Sequence, residues 1–436
     1  MRYTAPKGTH DILPSGTNRT DWADDITKWH WLEGVFRDLC GLYGYEEVRT
    51  PIYEDTNLFH RAVGEGTDIV TKETYDFVTK GGDSITLRPE GTAGVLRAYV
   101  QHRVYIERPI AKLYYIGPNF RYERPTKGRY RQHYQAGVEF LGAEGPETDA
   151  EVIALLYAVF TRLGVSRLTL RLNSVGTVES RARYVEALRT FAEPLVSQMS
   201  EDNKRRFEQN PLRMLDSKDE RDQQLLADAP IVTDFLDDPS RAHFETLQSL
   251  LTTLGIEYKL DPFLVRGFDY YTRTLFEIES PDVGAQSSLA GGGRYNKLVE
   301  DLGGPATPGI GFGIGIERTL IALETAGVPV PEPPSPVAFL CPLGDAARNA
   351  CVILLSQLRS ANLAADMDYT GRRMKGMLEQ ADRIRARYAL IVGDDEISEG
   401  IVQVRDMQTK QQTKVPITNL AETLRGQGGV SEADDD

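Results

Sequence analysis

The stretch Leu113–Leu141 reads LYYIGPNFRYERPTKGRYRQHYQAGVEFL, and its pattern decides the fold. Successive side chains of a strand point to opposite faces, so residues two apart share one. Tyr115, Gly117, Asn119, Arg121 and Glu123 share a face before the loop; His133, Gln135, Gly137 and Glu139 share one after it. The other face of the second run, Tyr134, Ala136, Val138 and Phe140, suits a core. These runs predict an antiparallel hairpin with one apolar and one polar face. The polar face reads as a solvated sheet surface or as a ligand-binding one. Gly117 and Gly137 on that face favour close approach of a ligand.

Outward from the hairpin, residues 84–140 read as antiparallel strands with one helix between them. Strand chemistry returns at Thr272–Glu279 and at Ile310–Ile316. Residues 176–262 between are charged and helix-favouring, as in Arg181–Phe191 and Asp202–Phe207, and predict a helical insertion. The fold class is α+β: a mostly antiparallel sheet with flanking helices, spanning 1–328. Residues 329–336 hold Pro329, Pro331, Pro333, Pro334 and Pro336, an extended linker. Beyond it, 337–425 predicts a small α/β domain: strand Val337–Leu340, helix Asp345–Ser360, helix Arg372–Ala386 and strand Ala389–Val392. Residues 426–436 are Gly-rich, then acidic, and predict a disordered tail.

Three further segments carry chemistry. Gly309–Arg318, GIGFGIGIER, alternates glycine with a large apolar residue, leaving one strand face as bare backbone. That face suits a flat aromatic ligand such as a purine, or tight packing against a neighbour. No GxGxxG or GxxxxGK[ST] pattern accompanies it. In Leu87–Thr92, LRPEGT, Thr92 is a natural N-cap for a helix over 93–100. Glu90 in that turn either meets a ligand ammonium or supports the helix dipole. Leu264–Thr272, LVRGFDYYT, sets Arg266 beside glycine, where it reaches a phosphate or carboxylate, or merely pairs with Asp269. Gly291–Tyr295, GGGRY, reads as a loop that closes over a ligand or as a simple turn.

The six histidines show no metal-ligand spacing, and no Ser/His/Asp or Cys/His constellation stands out. Arginines and a purine platform are instead the inventory of phosphoryl or nucleotidyl transfer. Of the 436 residues, 41% are hydrophobic and 26% charged, a globular balance. No apolar run approaches the roughly 18 residues of a membrane span, and Met1–Pro14 lacks the apolar core of a signal peptide. Three cysteines without CxxC spacing fit a reducing cytoplasm. A net charge of −14, taken as a bulk property, argues against a general nucleic-acid binder. Two local stretches oppose that reading: Arg121–Arg131 carries five basic residues and one acid, and Arg372–Arg387 six and two.

With those segments in view, the chain resembles the histidyl-tRNA synthetase family, within the class II aminoacyl-tRNA synthetases, over nearly its whole length. Gly41–Asp55 (GLYGYEEVRTPIYED) resembles class II motif 1, which implies a homodimer. Phe120–Glu123 with Gly137–Phe140 resembles motif 2, and Gly309–Arg318 motif 3. LVRGFDYYT at 264–272 and AGGGRY at 290–295 resemble the histidine-specific signatures. Residues 336–425, with ADRIRARYALIVGDDE, resemble an anticodon-binding domain.

The resemblance implies activation of L-histidine with ATP and transfer to tRNA(His), with Mg²⁺ bridging the phosphates. Glu90, Thr92 and Gln135 would hold the histidine α-amino group, and Gly91 would belong to the same histidine-binding site. Glu139 and Tyr271, with Tyr270 beside them, would bond the imidazole. Arg121, Glu123, Arg129, His133 and Arg318 would bind ATP. Arg266, Arg121 and Arg318 would be catalytic, and Arg124, Thr126 and Lys127 would meet the acceptor end. Three positions depart from the family pattern: His133 for a stacking phenylalanine, Thr126 for glutamine and Asn296 for aspartate. His133 implies an ATP affinity that is weaker or changes with pH near its titration. Two relatives of the same fold are the alternative readings. One is the synthetase-like regulatory subunit of ATP phosphoribosyltransferase, which lacks the anticodon-binding domain. The other is an RNA-binding sensor domain of starvation-sensing kinases, and no kinase signature is present here.

Overall fold

The computed structural model describes residues 3–15, 21–64, 67, 69–165, 167–283 and 288–426. Its contacts divide the chain into two units, Met1–Val330 and Pro331–Asp436. The first is built on an eight-stranded sheet. Its strands are β1 (Glu46–Glu47), β2 (Ala111–Phe120), β3 (Gln132–Leu141), β4 (Thr169–Ser174), β5 (Lys259–Leu260), β6 (Thr272–Glu279), β7 (Ser288–Arg294) and β8 (Gly309–Gly315). Across the sheet the order is β1-β2-β3-β8-β7-β6-β4-β5. Only the two edge pairs, β1–β2 and β4–β5, run parallel. This is the mostly antiparallel α+β architecture expected.

Alternation along the strands sorts the two faces. Ala136, Val138 and Phe140 of β3 and Ile310, Phe312 and Ile314 of β8 point into one core. They meet Trp29, Leu32 and Phe36 of α1 (Ile26–Leu42), while α2 (Thr92–Gln101) packs in a second cluster. The first core is completed by Val152, Leu156 and Phe160 of α3 (Pro146–Arg162).

The expected helical insertion lies between β4 and β6. Its helices α4 (Val178–Ala192), α5 (Glu201–Gln209), α6 (Glu220–Leu225) and α7 (Asp238–Thr253) each start on a side-chain cap. Thr177, Ser200, Asp219 and Asp237 accept backbone N–H groups of the first turns. Such caps are typically each worth about 1 kcal/mol, which explains why this polar stretch stays helical. Helix α8 (Ile316–Thr325) follows β8 directly.

The second unit is the α/β domain expected, with helix Asp345–Ser360 as read and more strands than the sequence showed. It has five strands, β9 (Ala338–Pro342), β10 (Ala365–Met367), β11 (Tyr388–Val392), β12 (Ile401–Asp406) and β13 (Gln412–Pro416), in the order β10-β9-β11-β12-β13. β10 is too short to register as a period, and the edge strand β13 exposes Gln412 and Lys414 beside half-buried Gln403 and Arg405 of β12. The helix expected over 372–386 is Met374–Arg383. Asp368 holds the Arg372 N–H at 2.9 Å before it starts, and Arg385 with φ 54° ends it. The stretch 329–336 contains no helix or strand. Of the predicted tail, residues 427–436 lie outside the described residues.

Gly291–Tyr295 is neither loop nor turn. It is the end of β7, central in the sheet and buried. A Cβ at Gly292 would fall 2.1 Å from the Gly311 carbonyl and 2.9 Å from Phe312 Cα, both backbone that cannot yield. Gly292→Ala is therefore expected to destabilise the protein by about 2 kcal/mol or more, read as a lowered Tm in calorimetry. An unchanged Tm would mean that β7 packs more loosely than this.

Candidate active site

The polar face of the sheet floors a cleft of about 490 Å³. One cross-strand row runs Tyr115, Gly137, Gly313, Gly291 and Glu277 from β2 to β6. Three glycines in adjacent strands leave the middle of that row without side chains. The bare face predicted for 309–318 is divided in use. Gly311 makes room for the Glu139 carboxylate, whereas a Cβ at Gly313 or Gly315 would meet nothing within 3.7 Å. The open part is thus the end nearest Arg318.

Arg266 lies over this floor: a Cβ at Gly291 would sit 2.4 Å from its guanidinium. Glu277 pairs with Arg266 and Arg171 with Glu277, so no Arg266–Asp269 pair forms. Asp269 instead takes Arg181. Burial disfavours the Arg266 charge, yet Glu277 and the hydroxyls of Tyr271 and Tyr270 outweigh it and hold the group cationic.

Glu139 is 1% exposed and accepts from the Tyr295 hydroxyl, while its other oxygen has no partner. Burial pushes its carboxyl up to about 8, against the hydrogen bonds of Tyr295 and Thr92. A buried acceptor left open in a cleft wall is unusual and marks a ligand contact. Tyr295 was missed in the sequence as anything but part of a signature; its tyrosine hydroxyl four residues past Gly291 was the available signal.

At the start of α2 the two readings of Glu90 merge. Its carboxylate accepts the Thr92 and Ala93 N–H groups at 2.6 and 2.8 Å, and it also lines the cleft. Thr92 is therefore not the N-cap; it is the first helical residue, and Gly91 stands at the cap without a side-chain bond. Gly91 does not line the cleft, because its lack of a Cβ admits the Tyr115 ring. Gly117 and Gly137 likewise make room for Arg88 and Tyr115 rather than for a ligand.

At the other end, Arg121 donates to the Pro89 carbonyl at 2.9 Å, and Arg318 to the carbonyls of Gly128 and Ser288, both at 3.0 Å. Glu123 holds Arg129 at 3.1 Å. Burial, reinforced by Arg121 and Arg318, lowers His133 to about 3. A neutral imidazole in the physiological range argues against a titration of His133 there, a point the pH profile of ATP binding decides.

Twelve of the anticipated residues line this one cleft: Glu90, Thr92, Arg121, Glu123, Arg129, His133, Gln135, Glu139, Arg266, Tyr270, Tyr271 and Arg318. Arg124, Thr126 and Lys127 lie outside it, exposed on the β2–β3 loop. Sequence reasoning missed Glu277 and Arg171, whose roles depend on pairing across strands, and Arg213 and Lys218 from the insertion. Among the described residues no cluster of three or more His, Cys, Asp or Glu side chains forms a metal cage.

Residues 22–319 match the family described as "Histidyl-tRNA synthetase", and residues 338–427 the "Anticodon binding domain". The histidine--tRNA ligase of Protochlamydia amoebophila is 44% identical over 98% of this chain and 100% of its own length. Histidine--tRNA ligase 1 of Shouchella clausii is 47% identical over 98% and 99%. The apo histidyl-tRNA synthetase of S. aureus superposes with a TM-score of 0.80 at 39% identity, covering 97% of this chain and all of that one. A Bacillus halodurans structure titled as an ATP phosphoribosyltransferase regulatory subunit/histidyl-tRNA synthetase shares the fold, with a TM-score of 0.63 at 20% identity. With both units matched and relatives aligned end to end, the chain belongs to the histidyl-tRNA synthetase family.

Proposed function

We propose that the protein is a histidine–tRNA ligase, which activates L-histidine with ATP and transfers it to the 3′ end of tRNA(His). The observation that carries this reading is the single cleft whose one end is lined by carboxylates and tyrosines and whose other end is lined by arginines. Glu90, Thr92 and Gln135 hold the substrate ammonium; Glu139 and Tyr271 bond the imidazole nitrogens, with Tyr270 alongside. Arg121 and Arg129 take phosphates, Glu123 reads the adenine edge, and His133 and Arg318 flank the base over Gly313 and Gly315. The histidine carboxylate attacks the α-phosphate in line, the bond to pyrophosphate breaks, and histidyl-adenylate forms. Arg266 and Arg121 stabilise the charge that gathers there, and positioning supplies most of the rest.

Mg²⁺ fits this cleft only as an ion carried by the nucleotide. Glu277 and Glu279 are carboxylates of the cleft wall, but Arg171 and Arg266 already engage them. Phosphate oxygens with one or two such carboxylates are a usual Mg²⁺ environment, in which the ion neutralises phosphate charge.

The acceptor end meets Arg124, Thr126 and Lys127, and residues 337–425 read the anticodon after the 329–336 linker. A homodimer is supported by exposed apolar side chains near motif 1, including Leu42, Ile52, Tyr53 and Val78. Cys40, Cys341 and Cys351 are free and buried, in keeping with a cytoplasmic protein.

Histidine-dependent ATP–pyrophosphate exchange by the purified protein tests the activity directly; no exchange at saturating substrates removes it. Arg266→Ala is expected to lower exchange by about 10²-fold or more while tRNA binding stays near wild type. Loss of both together would make Arg266 structural. Gly291→Ala should mimic the loss of exchange in Arg266→Ala, because the new methyl would displace the Arg266 guanidinium, and the broken pair with Glu277 should also lower Tm. Since His133 stays neutral, wild type and His133→Phe should share one pH profile of KM for ATP between about pH 5.5 and 8. A rise in KM below about pH 6.5 confined to wild type would contradict the depressed value.

A further inference from the structure

We propose that His243, on the helical insertion, is a positioning residue for the histidine-recognition corner of the cleft, acting through Asp149. The inference rests on the ligase reading above and gives the insertion a task in substrate selection. Neither His243 nor Asp149 lines the cleft.

Asp149, in the first turn of α3, is fully buried and accepts from three elements at once. His243 on α7 reaches it with Nε2 at 2.5 Å. Thr274 of β6 donates its hydroxyl at 2.6 Å. Arg294, the last residue of β7, gives Nε at 2.8 Å and pairs through Nη2 as well. On the far side of the imidazole, Arg273 Nη1 faces Nδ1 at 3.5 Å, and Arg273 also pairs with Glu144 at 3.1 Å. A guanidinium only donates, so the imidazole proton belongs on Nε2, pointing at Asp149.

Both segments pinned in this way end at the imidazole-binding groups. Arg294 precedes Tyr295, whose hydroxyl holds Glu139. Arg273 and Thr274 follow Tyr270 and Tyr271, and the Thr272 hydroxyl accepts the Asn296 N–H at 3.1 Å. Arg294 is itself fully buried, and Asp149 is its carboxylate partner. Asn296 offers Arg294 only a neutral amide oxygen, at 3.3 Å. The charge of Arg294 is therefore matched by Asp149 alone among the described residues. The orientation of Asp149, and with it the place of Tyr295 and Tyr271, depends on the donor from the insertion. Buried ion pairs are retained where they fix one arrangement among several, and this one fixes two tyrosines.

The experiment is steady-state ATP–pyrophosphate exchange with His243→Leu, His243→Gln and Thr274→Val. Leucine suits a helix and removes the donor; glutamine returns an N–H at the position of Nε2. KM for histidine is expected to rise about tenfold or more in His243→Leu, with KM for ATP within about twofold, and to recover in His243→Gln. Thr274→Val, nearly isosteric, should shift KM for histidine in the same direction by a smaller factor and stands in if His243→Leu does not fold. A histidine KM unchanged in both His243→Leu and Thr274→Val, or one that rises in step with KM for ATP, overturns the inference while leaving the ligase reading intact. No exchange by the wild-type protein overturns both.

Discussion

Three glycines side by side in neighbouring strands are the constraint on which the rest depends. Gly313 is paired with Gly137 on one side and Gly291 on the other. No other residue type leaves the middle of a sheet face flat, and flatness here is specific in its use. It lets Arg266 lie across β7, and it leaves β8 open where an aromatic base would rest. The cost is a strand pair with little side-chain packing on that face, since glycine in a strand interior weakens it. Compensation comes from the other face, where Phe276, Phe312 and Ile314 are almost wholly buried. The residues that make the site and those that stabilise its floor alternate along the same strands.

This alternation is why so much of the catalytic sheet was legible in the sequence. Period two in 113–141, 272–279 and 309–316 predicts both the strands and the faces they present, and the strand Thr272–Glu279 was read to the residue. The triple glycine at 291–293 defeated the same logic. Glycine signals turns by propensity, whereas here it answers to packing from both sides, by Phe276 and by the backbone of β8. Gly117 and Gly137 misled in a related way, because the groups that come close to them are Arg88 and Tyr115 of the protein itself. Pairing partners were the other blind spot. Glu277, Tyr295 and Asp149 owe their importance to residues 11, 156 and 145 positions away, and nothing local announces them.

Charge follows a comparable rule of locality. The bulk value of −14 describes how the molecule repels a polyanion at long range, and it misdescribes the surface that a nucleic acid touches. Arg124 and Lys127 stand exposed on the β2–β3 loop, while Arg121 and Arg129 of the same loop region turn inward to the cleft. One short basic run is thereby divided between the outer surface and the cleft. Binding carried by a few such contacts is expected to fall only modestly with salt and to be poor at holding non-specific RNA.

Within the cleft the same strand spans two electrostatic regimes. His133 and Glu139 are six residues apart on β3, roughly 20 Å at the rise of an extended chain. Near His133 the neighbours are Arg121 and Arg318, and burial keeps the imidazole neutral. Near Glu139 they are Tyr295, Thr92 and Glu90, and burial keeps the carboxyl protonated up to about pH 8. His133 and Glu139 are thus both biased toward their neutral forms in the free protein, burial raises Glu90 as well, and the arginines dominate the field at their end of the cleft. An amino acid entering that field has one favourable orientation, ammonium toward Glu90 and carboxylate toward the arginines. A nucleotide has the complementary one. In the proposed reaction, Arg266, held over Gly291 between them, is where the two negatively charged reacting groups would meet. The protein can lower their repulsion there because it has already brought a buried cation to that point and held it with Glu277.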